Sequence, residues 1–410
     1  MSSKKTKIKK RIYLDYASGA PVLPAVLSNT KKFQENFFGN PSSLHYEGVT
    51  AKKILEETRA SVARHFDAHA SEIIFTSGGT ESNAIALCGI FEYAKKLPKF
   101  LNKKPHIITS AIEHPSILRT CEILEKRGAT ITYLPVDSFG VVSPKSVYEA
   151  ILPETILISI AYANNEVGTI QSIKEIAKEI RRYKKVNSKQ QTVNSYPLFH
   201  TDACQAVQYL DIGVERLGID LITFNGTKIG GPRGTGALYI RRGTPISPIY
   251  SGGEQEYGMR SGTENIPGII GLGMALDHVR FVCEKENNRL TLIRDYCISQ
   301  ISKKFPDVRV NGSLYQRLSN NINISFKKFS SELLVLELDA KGISVSAGSA
   351  CASSKDTGSH VLKALHGKIN ESKWGSIRIS LGRETKKEDI NTLLKTLVNI
   401  FEKYEKASII

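Results

Sequence analysis

From about residue 70 to residue 240 the chain alternates between short apolar runs and amphipathic stretches. The runs "EIIFTS", "HIITS", "TITYLPV", "TILISIAYA", "LFHTDA", "LITFNG" and "GALYIRR" are rich in Ile, Leu, Val, Thr and Tyr. Between them lie "ESNAIALCGIFEYAKK", "PSILRTCEILEKRG", "SPKSVYEAI" and "SIKEIAKEIRRYKK", which read as helices. Alternation of this kind predicts an α/β fold, a mainly parallel seven-stranded sheet flanked by helices. Ahead of it, Ala51, Leu55, Val62 and Phe66 recur at helical spacing and predict a surface helix with one packed face.

After about residue 280 the texture changes to a long charged helix, "NNINISF", a helix from Ser331, a stretch of small residues and "SIRISLG". That pattern predicts a large domain over 20–282 and a smaller α+β domain built from 1–19 and 283–410. The polar residues 184–196 read as a surface insertion between a helix and a strand. No apolar run approaches the ~18 residues of a membrane span, and the basic start "MSSKKTKIKKR" has no apolar stretch behind it. A cytoplasmic protein with no membrane role is expected. Six cysteines with no CxxC spacing predict reduced thiols and no metal site. The formal charge is +16, but the lysines are spread over many helices. Direct nucleic-acid binding is therefore not the expected function.

Three turns that follow strands carry chemistry. In "FTSGGTES" a strand ends, Gly78 and Gly79 permit a tight turn, and a helix begins near Thr80. Free N–H groups there attract a phosphate; an ordinary β–α turn would look the same. In "FHTDACQ", Asp202 ends a strand and either caps the next helix or holds a cationic ring nitrogen. In "FNGTKIGGPRGTGAL", Lys228 sits among glycines, either solvated or desolvated and ready to form a Schiff base. A phosphate cup, an acid and a lysine at successive strand ends form the set that pyridoxal phosphate requires.

With these motifs in place, the sequence resembles the cysteine desulfurases of the NifS/IscS type, in the class V aminotransferase family of fold type I pyridoxal-phosphate enzymes. The matching stretches run nearly end to end: "IYLDYASGAPV", "GNPSSLH", "IIFTSGGTESN", "EHPSIL", "ANNEVGTIQ", "HTDACQ", "KIGGPRGTGALY", "GMRSGTEN", "SAGSACASS" and "IRISLGR". The resemblance implies that Lys228 is the Schiff-base lysine and proton carrier at the substrate Cα. It implies that Asp202 pairs with the pyridinium nitrogen, that His114 stacks on the ring, and that Asn165 and Gln205 bond its substituents. Gly79 and Thr80 would hold the phosphate, with Asn225 and Thr227 beside them. Thr263 would reach the phosphate of the partner subunit in a homodimer. Arg378 would clamp the substrate carboxylate, with Asn40 beside it.

Cys351 stands in "SVSAGSACASSKDTGSH", where little apolar bulk surrounds it. A structural cysteine normally has apolar neighbours; the resemblance implies that this one accepts sulfur from L-cysteine, leaving alanine, on a mobile loop over about 344–358, the alternative being a free thiol with no role. The other five read as core, Cys204 less clearly because it adjoins the cofactor motif. The persulfide would pass to an acceptor protein, either an iron–sulfur scaffold or a tRNA-thiolation enzyme. Three departures from the family stand out. Asn225-Gly226-Thr227 precedes Lys228 where a His usually does, Ser18-Gly19-Ala20 replaces Ala-Thr-Thr with the loss of two hydroxyls, and "FEKYEKASII" lacks a longer scaffold-docking tail. Rival readings are a selenocysteine lyase, another class V aminotransferase, or a non-catalytic basic binding protein on the same fold.

Overall fold

The computed structural model describes residues 11–187, 196–348, 358–367 and 374–406. In chain order the elements run β1 (Ile12–Tyr13), α1 (Pro24–Asn36), α2 (Tyr46–His65), β2 (Ile73–Thr76), α3 (Gly79–Lys95), β3 (His106–Ser110), α4 (Pro115–Lys126) and β4 (Thr130–Leu134). They continue with α5 (Pro144–Ala150), β5 (Thr155–Ser159), α6 (Ile173–Asn187), β6 (Leu198–Asp202), α7 (Val214–Leu217), β7 (Leu221–Asn225) and β8 (Gly236–Ile240). The last are α8 (Ile266–Lys304), β9 (Arg309–Val310), β10 (Asn321–Lys327), α9 (Ser331–Ala340), β11 (Ile343–Ser344), α10 (His360–His366), β12 (Trp374–Ser380) and α11 (Lys387–Lys406). They fall into two compact units.

The first unit comprises Gly19–Asn164 and Thr169–Cys283. Its seven-stranded sheet has the order β2-β8-β7-β6-β5-β3-β4. β8 runs antiparallel to both neighbours and all other pairs are parallel. The C-terminal ends of β2, β3, β5, β6 and β7 therefore open on one side of the sheet. Strands covered on both faces read as nearly continuous apolar runs, and β5 and β6 are buried throughout. Helix α3 presents Ile85, Leu87, Ile90 and Phe91 to a core shared with Ile107 of β3, Cys121 of α4 and Leu198 of β6. Each such side chain contributes about 1.5–3 kcal/mol on burial. Helix α2 is the surface helix expected, with Ala51, Leu55 and Val62 turned inward and Phe66 buried at its end.

The second unit comprises Met1–Ser18, Asn165–Gly168 and Glu284–Ile410. Its antiparallel sheet has the order β12-β10-β9, and β1 pairs in parallel with β11. Phe305, Phe326, Phe329 and Phe401 form an aromatic cluster with ring centroids 4.2–5.6 Å apart.

One expectation needs correction. Helix α6 continues to Asn187, so residues 184–187 are helical rather than part of an insertion; "KKVN" holds no Gly or Pro to stop it. Helix α8 is long and apolar enough by length and composition alone to cross a membrane, although Asp277 and Arg280 interrupt its apolar run. Of that apolar stretch 56% is buried in the protein, as Ile266, Leu272, Ala275 and Leu276 show.

Candidate active site

The turn between β2 and α3 is shaped by glycine. Gly78 has φ +152°, a conformation that side chains disfavour. A Cβ on Gly79 would lie 2.6 Å from Cys204 Sγ and 3.4 Å from Asn225 Nδ2. Cys204 and Asn225 thus pack directly against Gly79, and the first-turn N–H groups of α3 have no partner within the helix. Thr76 and Ser82 brace the turn through their hydroxyls, 2.8 Å apart. Glu81 lies in the same turn. Burial pushes its carboxyl up, but Arg260 Nε at 2.9 Å and Ser77 N at 2.6 Å outweigh this and hold it below the usual range.

At the end of β6 the Asp202 carboxylate is 8% exposed. Oδ1 accepts from Cys204 N at 2.9 Å and Oδ2 from Asn83 Nδ2 of α3 at 2.8 Å. Beneath it His200 bonds Ser159 Oγ at 2.9 Å and Thr223 Oγ1 at 3.1 Å, and burial lowers its pKa to about 4, so the ring is neutral. The Cys204 thiol is pushed well up, first by burial and then by Asp202, while the Lys228 charge opposes both. Lys228 follows β7, and its N–H donates to Asn225 Oδ1 at 3.2 Å. Gln205 is half-buried in the turn after Asp202. Thr227 O accepts from Ala20 N at 2.9 Å, and a Cβ on Gly19 would touch Thr227 Cγ2 at 3.5 Å. Two of the departures from the family pattern are thus neighbours.

His114 caps α4 at the end of the β3 turn. Its Nδ1 lies 3.1 Å from Ser116 N and 2.8 Å from Ser116 Oγ. Beside it Glu113 is fully buried; it accepts from Ser110 Oγ at 2.6 Å and from Ala161 N at 3.0 Å. Burial raises its pKa to about 8, with the Asp202 charge adding to the rise. Thr263 lines a pocket of about 190 Å³ with Thr76, Ser77, Arg260 and Glu264. Asn40 is exposed, and its Oδ1 accepts from Ser42 N at 2.9 Å in a local turn.

In the second unit Arg378, on β12, is 1% exposed rather than a surface charge on an alternating strand. Nη1 donates to Asn165 O at 2.9 Å, and Nη2 to Asp15 Oδ1 at 2.9 Å and Ser18 Oγ at 2.6 Å. Nε is buried with no partner. The Ser18 triplet, expected only to lose hydroxyls, supplies one to Arg378. Asn165 meets Arg378 through its backbone carbonyl. Glu166 accepts from Ser359 Oγ at 2.6 Å. Cys351 lies outside the described residues.

Among the other cysteines only Cys121 and Cys297 are fully buried. Cys88, Cys204 and Cys283 are half-buried, and Cys204 packs against Gly79, so the reading of all five as core is too simple. Sequence reasoning passed over Asn83, Ser116, Glu113 and Asp15. Only Asn83 had a local signal, one helical turn after Gly79 on the same face of α3.

A glycine cradle, a strand-end carboxylate and a lysine on one edge of a mainly parallel sheet define a fold type I pyridoxal-phosphate enzyme. The class V aminotransferase model matches residues 12–393, and the chain belongs to that family. It is 46% identical to cysteine desulfurase IscS of Dictyoglomus turgidum, over 97% of this chain and 96% of that one. It is 44% identical to cysteine desulfurase IscS of Methanosarcina thermophila, over 97% and 94%. A solved NifS-like protein, 32% identical, superposes with a TM-score of 0.85 and covers 96% of this chain and 100% of that one. The residues present fit the family's cofactor: the turn at Gly78 and Gly79 leaves no room for a Cβ beside Cys204, and the Asp202 carboxylate stands at the strand end among hydrogen-bond donors.

Proposed function

We propose that this chain is a cysteine desulfurase that moves sulfur from L-cysteine to Cys351 and leaves alanine. The observation that carries the reading is the glycine turn opening α3 at Gly78 and Gly79, with the Asp202 carboxylate and Lys228 at neighbouring strand ends. Pyridoxal phosphate, when bound, supplies a sink for the electron pair that develops on the substrate carbon.

The chain's own residues do the rest. The N–H groups of Gly79 and Thr80 would hold the phosphate, with Asn225 and Thr227 assisting. Asp202 would accept from the ring nitrogen and keep it cationic. Gln205 and Asn165 would bond the ring substituents, and His114 would pack against the ring. Lys228 anchors the cofactor and moves the proton at the substrate Cα. Arg378, buried and with Nε unpartnered, takes the substrate carboxylate, and Asn40 assists. Thr263 reaches the phosphate of the partner subunit in a homodimer.

Cys351 attacks the substrate sulfur. The S–S bond forms as the Cβ–S bond breaks, the electron pair stays with carbon, and that carbon takes a proton. No outside oxidant is needed. The persulfide then passes to an acceptor protein, an iron–sulfur scaffold or a tRNA-thiolation enzyme. The free thiols suit a reducing compartment such as the cytoplasm.

The test is product analysis with L-cysteine and a thiol reductant. Alanine and sulfide in equal amounts are expected. Turnover of selenocysteine alone, or formation of a 2-oxo acid by amino transfer, would replace the reading with one of its rivals.

A further inference from the structure

Four side chains in the first unit stand in a hydrogen-bonded row, Asp202, Asn83, Ser116 and His114. At one end the Asp202 carboxylate offers only acceptors, and it takes Cys204 N at 2.9 Å and Asn83 Nδ2 at 2.8 Å. The Asn83 amide therefore turns its NH2 toward Asp202. The opposite orientation would set a carbonyl oxygen against the carboxylate. The second hydrogen of the same nitrogen reaches Ser116 Oγ at 2.9 Å. Asn83 Oδ1 is left buried without a partner. Leaving a buried acceptor unsatisfied is unfavourable, so the orientation is held against a penalty.

Ser116 Oγ, having accepted from Asn83, keeps one hydrogen and one lone pair, so the direction of its bond to His114 is set from the histidine side. His114 Nδ1 lies 2.8 Å away. The Ser116 N–H reaches the same nitrogen at 3.1 Å. A ring nitrogen that accepts two donors bears no proton, and the proton of a neutral imidazole then belongs on the other nitrogen.

We infer that Asn83 and Ser116 are positioning residues that couple Asp202 to His114 and hold the His114 ring as its Nε2–H tautomer. Asp202 fixes the Asn83 amide, the Ser116 N–H fixes His114 Nδ1 as an acceptor, and the Ser116 hydroxyl joins the two ends. His114 can then share or give the proton at Nε2, while Nδ1 is occupied as an acceptor and cannot serve as a base. The catalytic meaning rests on the proposed role of His114; the tautomer does not, and it is read without turnover.

The test is nitrogen NMR of the full-length, cofactor-loaded protein labelled with 15N only in histidine. The His114 signals are assigned by their loss in His114→Gln. The wild type should show Nδ1 unprotonated and Nε2 protonated. Ser116→Ala keeps the backbone N–H at 3.1 Å but removes the shorter contact at 2.8 Å, so the two signals should begin to move toward each other as the Nδ1–H tautomer gains population, and Ser116→Thr, which keeps a hydroxyl, should restore the wild-type pattern. Asn83→Ala should move the signals the same way, acting through Ser116. A proton on Nδ1 in the wild type, or a Ser116→Ala spectrum that matches it, would overturn the inference, whatever the enzyme does with L-cysteine. An Asn83→Ala spectrum identical to wild type would overturn the coupling to Asp202. The Ser116 pair remains decisive if Asn83→Ala does not fold.

Discussion

The carboxyl of Glu113 is held where water cannot reach it, and its proton follows from that. Burial and the Asp202 charge raise its pKa from 4.5 to about 8, against the opposing hydrogen bonds from Ser110 and Ala161 N. The folded state thus keeps a proton that the unfolded chain releases above about 4.5. Its contribution to stability is complete below about pH 4.5 and is lost as pH rises through about 8. Glutamine mimics the protonated acid: its oxygen can accept from Ala161 N and its NH2 can donate to Ser110 Oγ. The wild type should therefore lose stability relative to Glu113→Gln between pH 5 and pH 8. The loss should be a few kcal/mol, at about 1.4 kcal/mol per pH unit. Urea midpoints of both proteins across that range check it. A constant difference would mean that Glu113 is ionised in the fold throughout.

At the scale of the element, the start of α3 is the part of the site most tightly specified. An added Cβ at Gly79 falls 2.6 Å from Cys204 Sγ, closer than atoms pack. Overpacking of this kind costs about 1–3 kcal/mol. Gly79→Ala should weaken pyridoxal-phosphate binding about tenfold or more, measured by equilibrium absorbance titration. Adding Cys204→Ala, which removes the crowding atom, should recover most of the loss. Undiminished binding by Gly79→Ala alone would mean that Cys204 turns aside and that the packing there is not rigid. The elements themselves were largely readable in advance, because β2, β3, β5 and β6 are buried on both faces and advertise it as apolar runs. The C-terminal end of α6 was not, because its last turn is polar and carries no breaker. The pairings that build the site leave no local trace. Asn83 and Asp202 are 119 residues apart, and Arg378 and Asp15 are 363 apart. Only the folded chain brings them together.

For the whole molecule, the two units interleave in sequence. Asn165–Gly168 belongs to the unit made mostly from the chain ends, although the residues on either side of it belong to the other. No reading of composition along the chain exposes so short an excursion. The chemistry is easier to trace at this scale, because the chain carries six cysteines and the proposed reaction chooses one. Burial pushes up the thiols of Cys88, Cys121, Cys204 and Cys297, with Cys121 and Cys297 raised to about 12. Such thiols are poor nucleophiles near neutral pH. The measurement that tests the central claim most directly is therefore the distribution of transferred sulfur over all six. The cofactor-loaded protein is given L-cysteine without reductant, its thiols are capped, and every cysteine peptide is weighed. One added sulfur atom on the Cys351 peptide alone, with alanine formed in step, is the expected result. Added sulfur on Cys204 or another cysteine, or alanine formed with no sulfur on Cys351, would contradict it.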